Sequence, residues 1–483
     1  MASQEILPAV VLVSVLFAVA ILLRGWRTTI RLPFPPGPKP RFLLGNLLDM
    51  PHKMPWITYT EWGKQYGDVV HAQVFGQHIL ILNSIKAATE LLEKAHDHLF
   101  GQAKHSYDFS HGMGFRFRFY AVLRQMAGGD CFINTSVETL SLPITRFTSE
   151  KFETCCVACF PLRTTLPRTQ KRDSILFHYG SMILSSSSLG AAIILDTVYG
   201  YDLKSTDDRF VHLPEETAER LTENMLPGAC IVNTLPFLRH FPSWFPGCSF
   251  HEFARDTRDL VVEMKNAPFD FVKQNMQNGS GRPSVLRELL ERNDTHSTSG
   301  EQEEVMKDVA GVAYVAAVDT TTTTLIVSIM ALALNPEVAK KAQNELDAVV
   351  GLVFREVFRW RPILPFVVPH ATSDDDIYEG YFIPKGTMVL PNVWAMVHDE
   401  SMYPNPDRFD PERFLNADGQ LNADDQILGF GFGRRACVGR YAADATVWAT
   451  IVSVLSTFDI AKAKDETGKE IEIEPAFSDG ATR

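Results

Sequence analysis

The sequence predicts a mainly helical protein with a minor β region, arranged as one large body behind an N-terminal membrane helix. Three observations predict it. Apolar residues recur at helical spacing over 181–201, 253–276 and above all 305–334, which ends at Asn335-Pro336 where another helix begins. Short apolar runs broken by glycine and proline are confined to 69–82 and 362–391, so strands are few. Ile6 to Leu23 is an uncharged, mostly aliphatic run ahead of the body.

That run, as a helix, spans about 27 Å at ~1.5 Å per residue, close to the hydrocarbon thickness of a bilayer. Arg24, Arg27 and Arg31 follow it and Glu5 precedes it, so the positive-inside bias puts the body in the cytosol; a signal peptide has the opposite polarity. Residues 1–31 are therefore expected to be a retained single-pass anchor. Residues 32–40, rich in proline, read as a stiff spacer, because fixed proline dihedrals and missing N–H donors forbid helix or inner strand. Residues 41–483 show no repeat of fixed period and no clean linker, which favours a single domain. Within it, 69–82 reads as a hairpin around Gly76, 85–93 as a helix, 381–390 as strand, turn, strand, and 438–456 as a helix. The triplets at Asn134, Asn278 and Asn293 fit a glycosylation pattern but face the cytosol, so they are read as unused.

With 483 residues, 45% apolar and 22% charged, the composition excludes wholesale disorder and a polytopic membrane protein. A net charge of -12, with no basic run interleaved with aromatics, argues against a nucleic-acid partner. Seven cysteines at irregular spacing suit a reducing compartment better than a disulfide framework.

The densest chemistry lies in Phe430-Gly431-Phe432-Gly433-Arg434-Arg435-Ala436-Cys437-Val438-Gly439, a glycine-rich loop delivering a cysteine to the start of a helix. There the helix dipole and free backbone N–H groups favour a thiolate, a strong donor to iron. Gly433 and Gly439 would remove bulk where a flat macrocycle approaches, Phe430 would shield the sulfur, and Arg435 would pair with a propionate. Two other readings stand beside this one. The cysteine can be a buried free thiol next to a helix cap. Alternatively Gly431 to Ala436 satisfies G-x-G-x-x-A with Asp459 some twenty residues on, as in dinucleotide binding; the preceding strand is then only Ile427-Leu428, and two arginines crowd the turn.

At this loop the chain resembles the cytochrome P-450 superfamily of heme-thiolate monooxygenases, microsomal type and most like fungal members: the signature F-x-x-G-x-R-x-C-x-G is met at every fixed position. Glu356-Val357-Phe358-Arg359 matches the family's E-x-x-R, and Pro411-Glu412-Arg413-Phe414 its P-E-R-F, whose arginine joins the first pair behind the heme. Arg361-Pro362 and Pro369-His370 resemble the following turn, where a basic residue meets a heme propionate; His370 is equally well a plain loop histidine. Ala316-Ala317-Val318-Asp319-Thr320-Thr321 resembles the oxygen-activating segment, with Ala317 where glycine is usual. A mid-helix threonine bonds back to the carbonyl a turn earlier and bends the helix, opening a polar notch for dioxygen at Thr320, with Asp319 relaying protons. The plainer reading is a polar face running from Thr320 to Thr324.

The resemblance implies a triangular helical prism, heme b with its axial thiolate from Cys437, and insertion of one oxygen atom of dioxygen into a small apolar organic substrate. It implies electrons from NADPH through a cytochrome reductase, a place on the endoplasmic reticulum membrane, and a role in fungal secondary metabolism. Val312, Ala316, Phe366, Val367 and Val368 are expected to line the substrate pocket.

The match fails over 100–172: the family's W-x-x-x-R helix is missing, since no tryptophan lies between Trp62 and Trp244, and Cys131, Cys155, Cys156 and Cys159 fall there instead without a fourth zinc ligand at usual spacing. Only four residues separate Gly351 from Glu356, Val438 replaces a frequent proline, and the family's closing strands are not found before Arg483. These departures support the alternative of a catalytically impaired or heme-free membrane-tethered remnant.

Overall fold

A computed structural model of the chain describes residues 32–51, 53–94, 173–177, 188–205, 207–223, 232, 236–246, 248–295, 300–424, 427–465 and 467–473. The expected anchor over 1–31, the tract 100–172 with its four cysteines, and Asn134 lie outside the described residues.

Residues 32–40 form neither helix nor strand, as their prolines require. They are not a free-standing spacer. The Pro36 carbonyl accepts the His71 N–H at 2.9 Å, the Pro33 carbonyl accepts the Phe382 N–H at 2.8 Å, and the Phe34 ring stacks on His71. The stretch is strapped across the sheet.

Helix α1 (Pro55–Tyr66) carries proline in its first turn, where an N–H would have no helical partner. Strands β1 (Val69–Val74) and β2 (Gln77–Leu82) form the expected hairpin, in register from Val69 opposite Leu82 to Val74 opposite Gln77. Its turn residues Phe75 and Gly76 both have positive φ, which matches the twist of the flanking strands. Helix α2 (Ile85–Thr89), capped by the Ser84 side chain, continues into one π-helical turn, Glu90–Lys94.

After β3 (Asp173–Phe177) come α3 (Ser188–Tyr199), α4 (Arg209–Glu223), α5 (Phe250–Gln277), α6 (Val285–Thr295), α7 (Gly300–Leu334), α8 (Pro336–Asn344) and α9 (Leu346–Trp360). Only Glu345 separates α8 from α9, and α9 runs unbroken through Gly351 to Glu356, so the shortened stretch is absorbed in a continuous helix. Then follow β4 (His370–Ala371), β5 (Asp376–Tyr378), β6 (Tyr381–Ile383), β7 (Met388–Pro391), α10 (Val393–Val397), α11 (Arg440–Thr457) and β8 (Phe458–Lys462).

The sheet has the order β1-β2-β7-β4, with β7 parallel to β2. The stretch 381–390 is thus not one hairpin: β6 pairs back on β5, while β7 joins the other sheet. All four β7 residues are buried, so only a central position covered on both faces accommodates them. On one face Ile79, Ile81 and Leu390 pack with Trp56 and Tyr59 of α1; on the other Leu80, Leu82 and Val389 meet Leu91 and Leu92 after α2, and Phe432.

Helix α7 is the axis of the body. Its first half, Met306 to Val318, packs with α3, α4, α5 and α6; its second half, Leu325 to Ala333, packs with α8, α9, α11 and β8. By length and composition Gln302–Leu334 is apolar enough to cross a membrane, but its most apolar stretch is 72% buried inside the fold, as befits a core helix. The run Thr320 to Thr324 falls where the two cores meet.

Candidate active site

The loop from Phe430 to Cys437 leaves the sheet region and enters α11. Its base is closed by the Cys437 N–H, which donates to the Phe430 carbonyl at 2.7 Å, and the Phe430 ring packs on Phe358 of α9 at 5.2 Å between centroids. Inside the loop the Ala436 N–H donates to the Gly433 carbonyl. Gly433 has φ +56, and a Cβ there would lie 2.6 Å from the Leu92 carbonyl oxygen. Its lack of a side chain therefore admits the π-helical turn. At Gly439 a Cβ would lie in ordinary van der Waals contact with the Cys437 sulfur, at 3.8 Å.

Cys437 is exposed. Even so, surrounding protein withdraws enough water to raise its thiol pKa, against the backbone N–H of Gly439, the charge of Arg440 and the Arg440 N–H, which all favour the thiolate. The net shift is upward, so the helix start alone does not ionise this sulfur. A metal cation bound at the sulfur would supply the missing stabilisation and release the thiol proton.

Strand β4 holds His370 beside this loop. Burial lowers the imidazole pKa to about 4, the Val368 carbonyl opposes the shift, and the Arg435 charge adds to it. His370 and Arg435 thus come within electrostatic reach of each other from separate elements. The His370 Nδ1 bonds the Val368 carbonyl at 2.8 Å, which leaves Nε2 as the free edge.

On α7, Ala316 alone is exposed between Val305 and Leu334, in an otherwise packed helix. Val312 and Thr320 lie one turn to either side on the same face, both half-buried. The Thr320 hydroxyl donates to the Ala316 carbonyl at 2.7 Å, and Thr323 and Thr324 bond back to Asp319 and Thr320 likewise. The anticipated back-bonding is present while the helix stays continuous from Gly300 to Leu334. Asp319 is only 4% exposed, so its side chain does not share the opening at Ala316 and Thr320.

The pocket-lining set divides. Val368 is exposed, and Val367 touches the loop, its Cγ1 lying 3.4 Å from where a Cβ on Gly431 would be. Phe366 does not line a pocket: it is 5% exposed and packs on Trp56 and Tyr59 beneath the sheet. An apolar run does not reveal which of its members face inward.

Behind the loop, Glu356 and Arg359 of α9 pair at 2.7 Å and 2.8 Å, and the Arg413 Nε lies 3.3 Å from the same carboxylate. The Asp410 N–H also donates to it at 2.8 Å.

The model of the cytochrome P-450 family matches residues 191–481. Cytochrome P-450 monooxygenase ple1 of Rhodocybe pseudopiperita is 36% identical over 470 residues, covering 91% of this chain and 85% of the relative. Cytochrome P-450 monooxygenase 208 of Postia placenta is 36% identical over 482 residues, covering 96% and 90%. The chain belongs to the cytochrome P-450 family. This cytochrome P-450 is accordingly a heme-thiolate monooxygenase with a mainly helical body and a small sheet region.

The described residues fit a heme. One exposed sulfur sits at the mouth of a loop beside Gly439, the Arg435 guanidinium near the neutral His370 ring suits a propionate, and an opening on the core helix lies at Ala316. The other described cysteine, Cys248, is buried against Leu238 and Phe250 in a separate cluster. Among the described residues no cluster of three His, Cys, Asp or Glu side chains is placed to hold a metal ion. One contact to the loop escaped the sequence motifs: the Gly433 N–H donates to the Glu93 carboxylate at 3.2 Å.

Proposed function

We propose that this cytochrome P-450 inserts one atom of dioxygen into a small apolar organic substrate of fungal secondary metabolism, using electrons from NADPH passed by a cytochrome reductase. Residues 1–31 anchor it in the endoplasmic reticulum membrane, and residues 41–483 form one catalytic domain on the cytosolic side. The aliphatic run Ile6 to Leu23 with its following arginines supports the anchor. The observation that carries the assignment is Cys437: an exposed sulfur with backbone donors from Gly439 and Arg440 on a loop closed at Phe430.

Heme b, held by Cys437, would supply the oxygen-activating redox chemistry. Phe430 covers the loop base, Gly439 lies beside the sulfur, and Arg435 would pair with a propionate. A propionate near His370 would favour the protonated ring, with Nε2 as a second donor. The Thr320 hydroxyl spends its proton on the Ala316 carbonyl, which turns its lone pairs outward to hold a water or a protonated ligand. Asp319, buried one residue before it, is the carboxylate assigned to proton relay. Val312, Ala316 and Val368 present the apolar surface that selects substrate, with Val367 buried behind them.

The test combines the reduced, carbon-monoxide-bound absorbance spectrum with turnover on a panel of terpenoid, polyketide and aromatic compounds under labelled dioxygen. A red-shifted Soret band and a product carrying one labelled oxygen support the reading. A normal-position band, or oxygen drawn from water, overturns it.

A further inference from the structure

The geometry points to Glu93 as a positioning residue for the cysteine loop, a latch that keeps the Cys437 sulfur on its heme. This rests on the assignment of Cys437 above.

The loop from Phe430 to Cys437 is tied at two places. Its base is tied within itself by the Cys437 N–H and the Phe430 carbonyl at 2.7 Å. Its middle is tied to another element: the Gly433 N–H donates to the Glu93 Oε1 at 3.2 Å, across 340 positions of sequence. The buried Phe432 ring anchors this part of the loop to Leu91 and Leu92, and the Glu93 bond fixes the backbone of the residue that follows it. A carboxylate acceptor makes the bond charge-assisted, stronger than one to a neutral oxygen.

The turn that carries Glu93 is built to deliver it. The helix widens to π geometry over Glu90–Lys94, a form that is rare and recurs at functional sites. Leu91 and Leu92, each 1% exposed, seat it in the core under the sheet, and the Tyr378 hydroxyl donates to Glu90 at 2.8 Å. The Leu92 carbonyl occupies the place a Cβ on Gly433 would take. Glycine at 433 is therefore dictated by the Leu92 carbonyl, which excludes a side chain, and by its positive φ, while the Glu93 carboxylate of the same turn receives its N–H.

The experiment follows the reduced, carbon-monoxide-bound full-length protein over time and measures how fast the thiolate-type band is lost. Glu93→Ala removes the acceptor, and Glu93→Gln keeps an acceptor oxygen without the charge. Glu90→Ala loosens the same turn through Tyr378 and leaves the latch. The expected result is roughly tenfold faster loss in Glu93→Ala, near-native behaviour in Glu93→Gln, and near-native behaviour in Glu90→Ala. Heme content read beforehand separates poor folding from a labile sulfur. A Glu93→Ala protein that keeps the band as long as the native one overturns the latch, as does an equal acceleration in Glu90→Ala. Cys437→Ser run in parallel tests the underlying assignment: if it keeps the thiolate-type band, the sulfur is elsewhere and the latch falls with it.

Discussion

Glu356 and Arg359 lie three residues apart on α9 with 0% and 3% of their side chains exposed, joined by two parallel hydrogen bonds of 2.7 Å and 2.8 Å. Two further guanidinium donors are taken by the carbonyls of Val397 and Pro406, and Arg413 closes on the same carboxylate. A buried pair adds little net stability over an apolar replacement, but removing one partner strands the other charge. Glu356→Ala leaves two arginines facing no anion and should lose ~3–5 kcal/mol, much of a typical ~5–15 kcal/mol margin. Heme-loaded yield and the denaturant midpoint should both collapse. Normal yield would show that the cluster relaxes without the carboxylate.

Cys437→Ser should abolish the red-shifted carbon-monoxide band, because an alcohol remains protonated and donates poorly to iron at neutral pH. The sulfur is the only part changed, so retained heme in a shifted spectral form is the expected companion result. An unaltered band would remove Cys437 from the site.

What was legible in the sequence is what period and motif encode. The 69–82 hairpin, the long helix ending at Asn335-Pro336 and the Glu356–Arg359–Arg413 cluster follow from spacing or from matched motifs, and the structure places them with shifts of a few residues at the ends. Three things were not legible. Glu93, a glutamate on a short amphipathic helix, looks like a solvated side chain until the chain brings Gly433 to it. The demand that the Leu92 carbonyl oxygen places on Gly433 is set by an element about 340 positions away and has no local pattern. The fate of Phe366 depends on β7 joining β2, a pairing between segments some three hundred residues apart that no local pattern encodes.

Acid should weaken the fold through histidines that it keeps neutral. His71 and His398 are both depressed to about 4, each chiefly by burial, with His78 at the first and Arg359 and Arg361 at the second adding repulsion. An unfolded histidine titrates near 6.5, so below that pH the unfolded chain binds protons that the folded chain refuses. Their stabilising contribution is whole above pH ~6.5 and is lost as pH falls toward 4, by at most ~1.4 kcal/mol per pH unit for each histidine. Denaturant midpoints at pH 7.5 and 5.0 should fall with acid, and His398→Gln should reduce the difference. An unchanged difference in that variant would mean His398 titrates normally in the folded state.

Deleting residues 1–31 should move the protein from the membrane to the soluble fraction with its carbon-monoxide spectrum intact, because the body is secured by its own contacts from residue 33 onward, Pro33 and Pro36 being bonded to Phe382 and His71. Persistent membrane attachment would reveal a second lipid-facing surface on the body.

Thr320 and Thr323 offer a comparison within one helix, since both hydroxyls bond back to carbonyls a turn earlier and both are half-buried. Thr320 sits one turn from the exposed Ala316, and Thr323 lies ~4.5 Å further along the axis. Alanine at either position removes a hydroxyl without adding bulk and changes helix propensity in the favourable direction, so neither should lose heme or substrate binding. Thr320→Ala removes the lone pairs that hold a water at the opening, so proton delivery should become uncontrolled and NADPH should be consumed mainly to make peroxide or water. Product formed per NADPH should fall several-fold, while Thr323→Ala stays close to the native ratio. Equal coupling in the two variants, with a substrate that turns over, would make Thr320 a structural residue and would move the proton path to groups other than the α7 threonines.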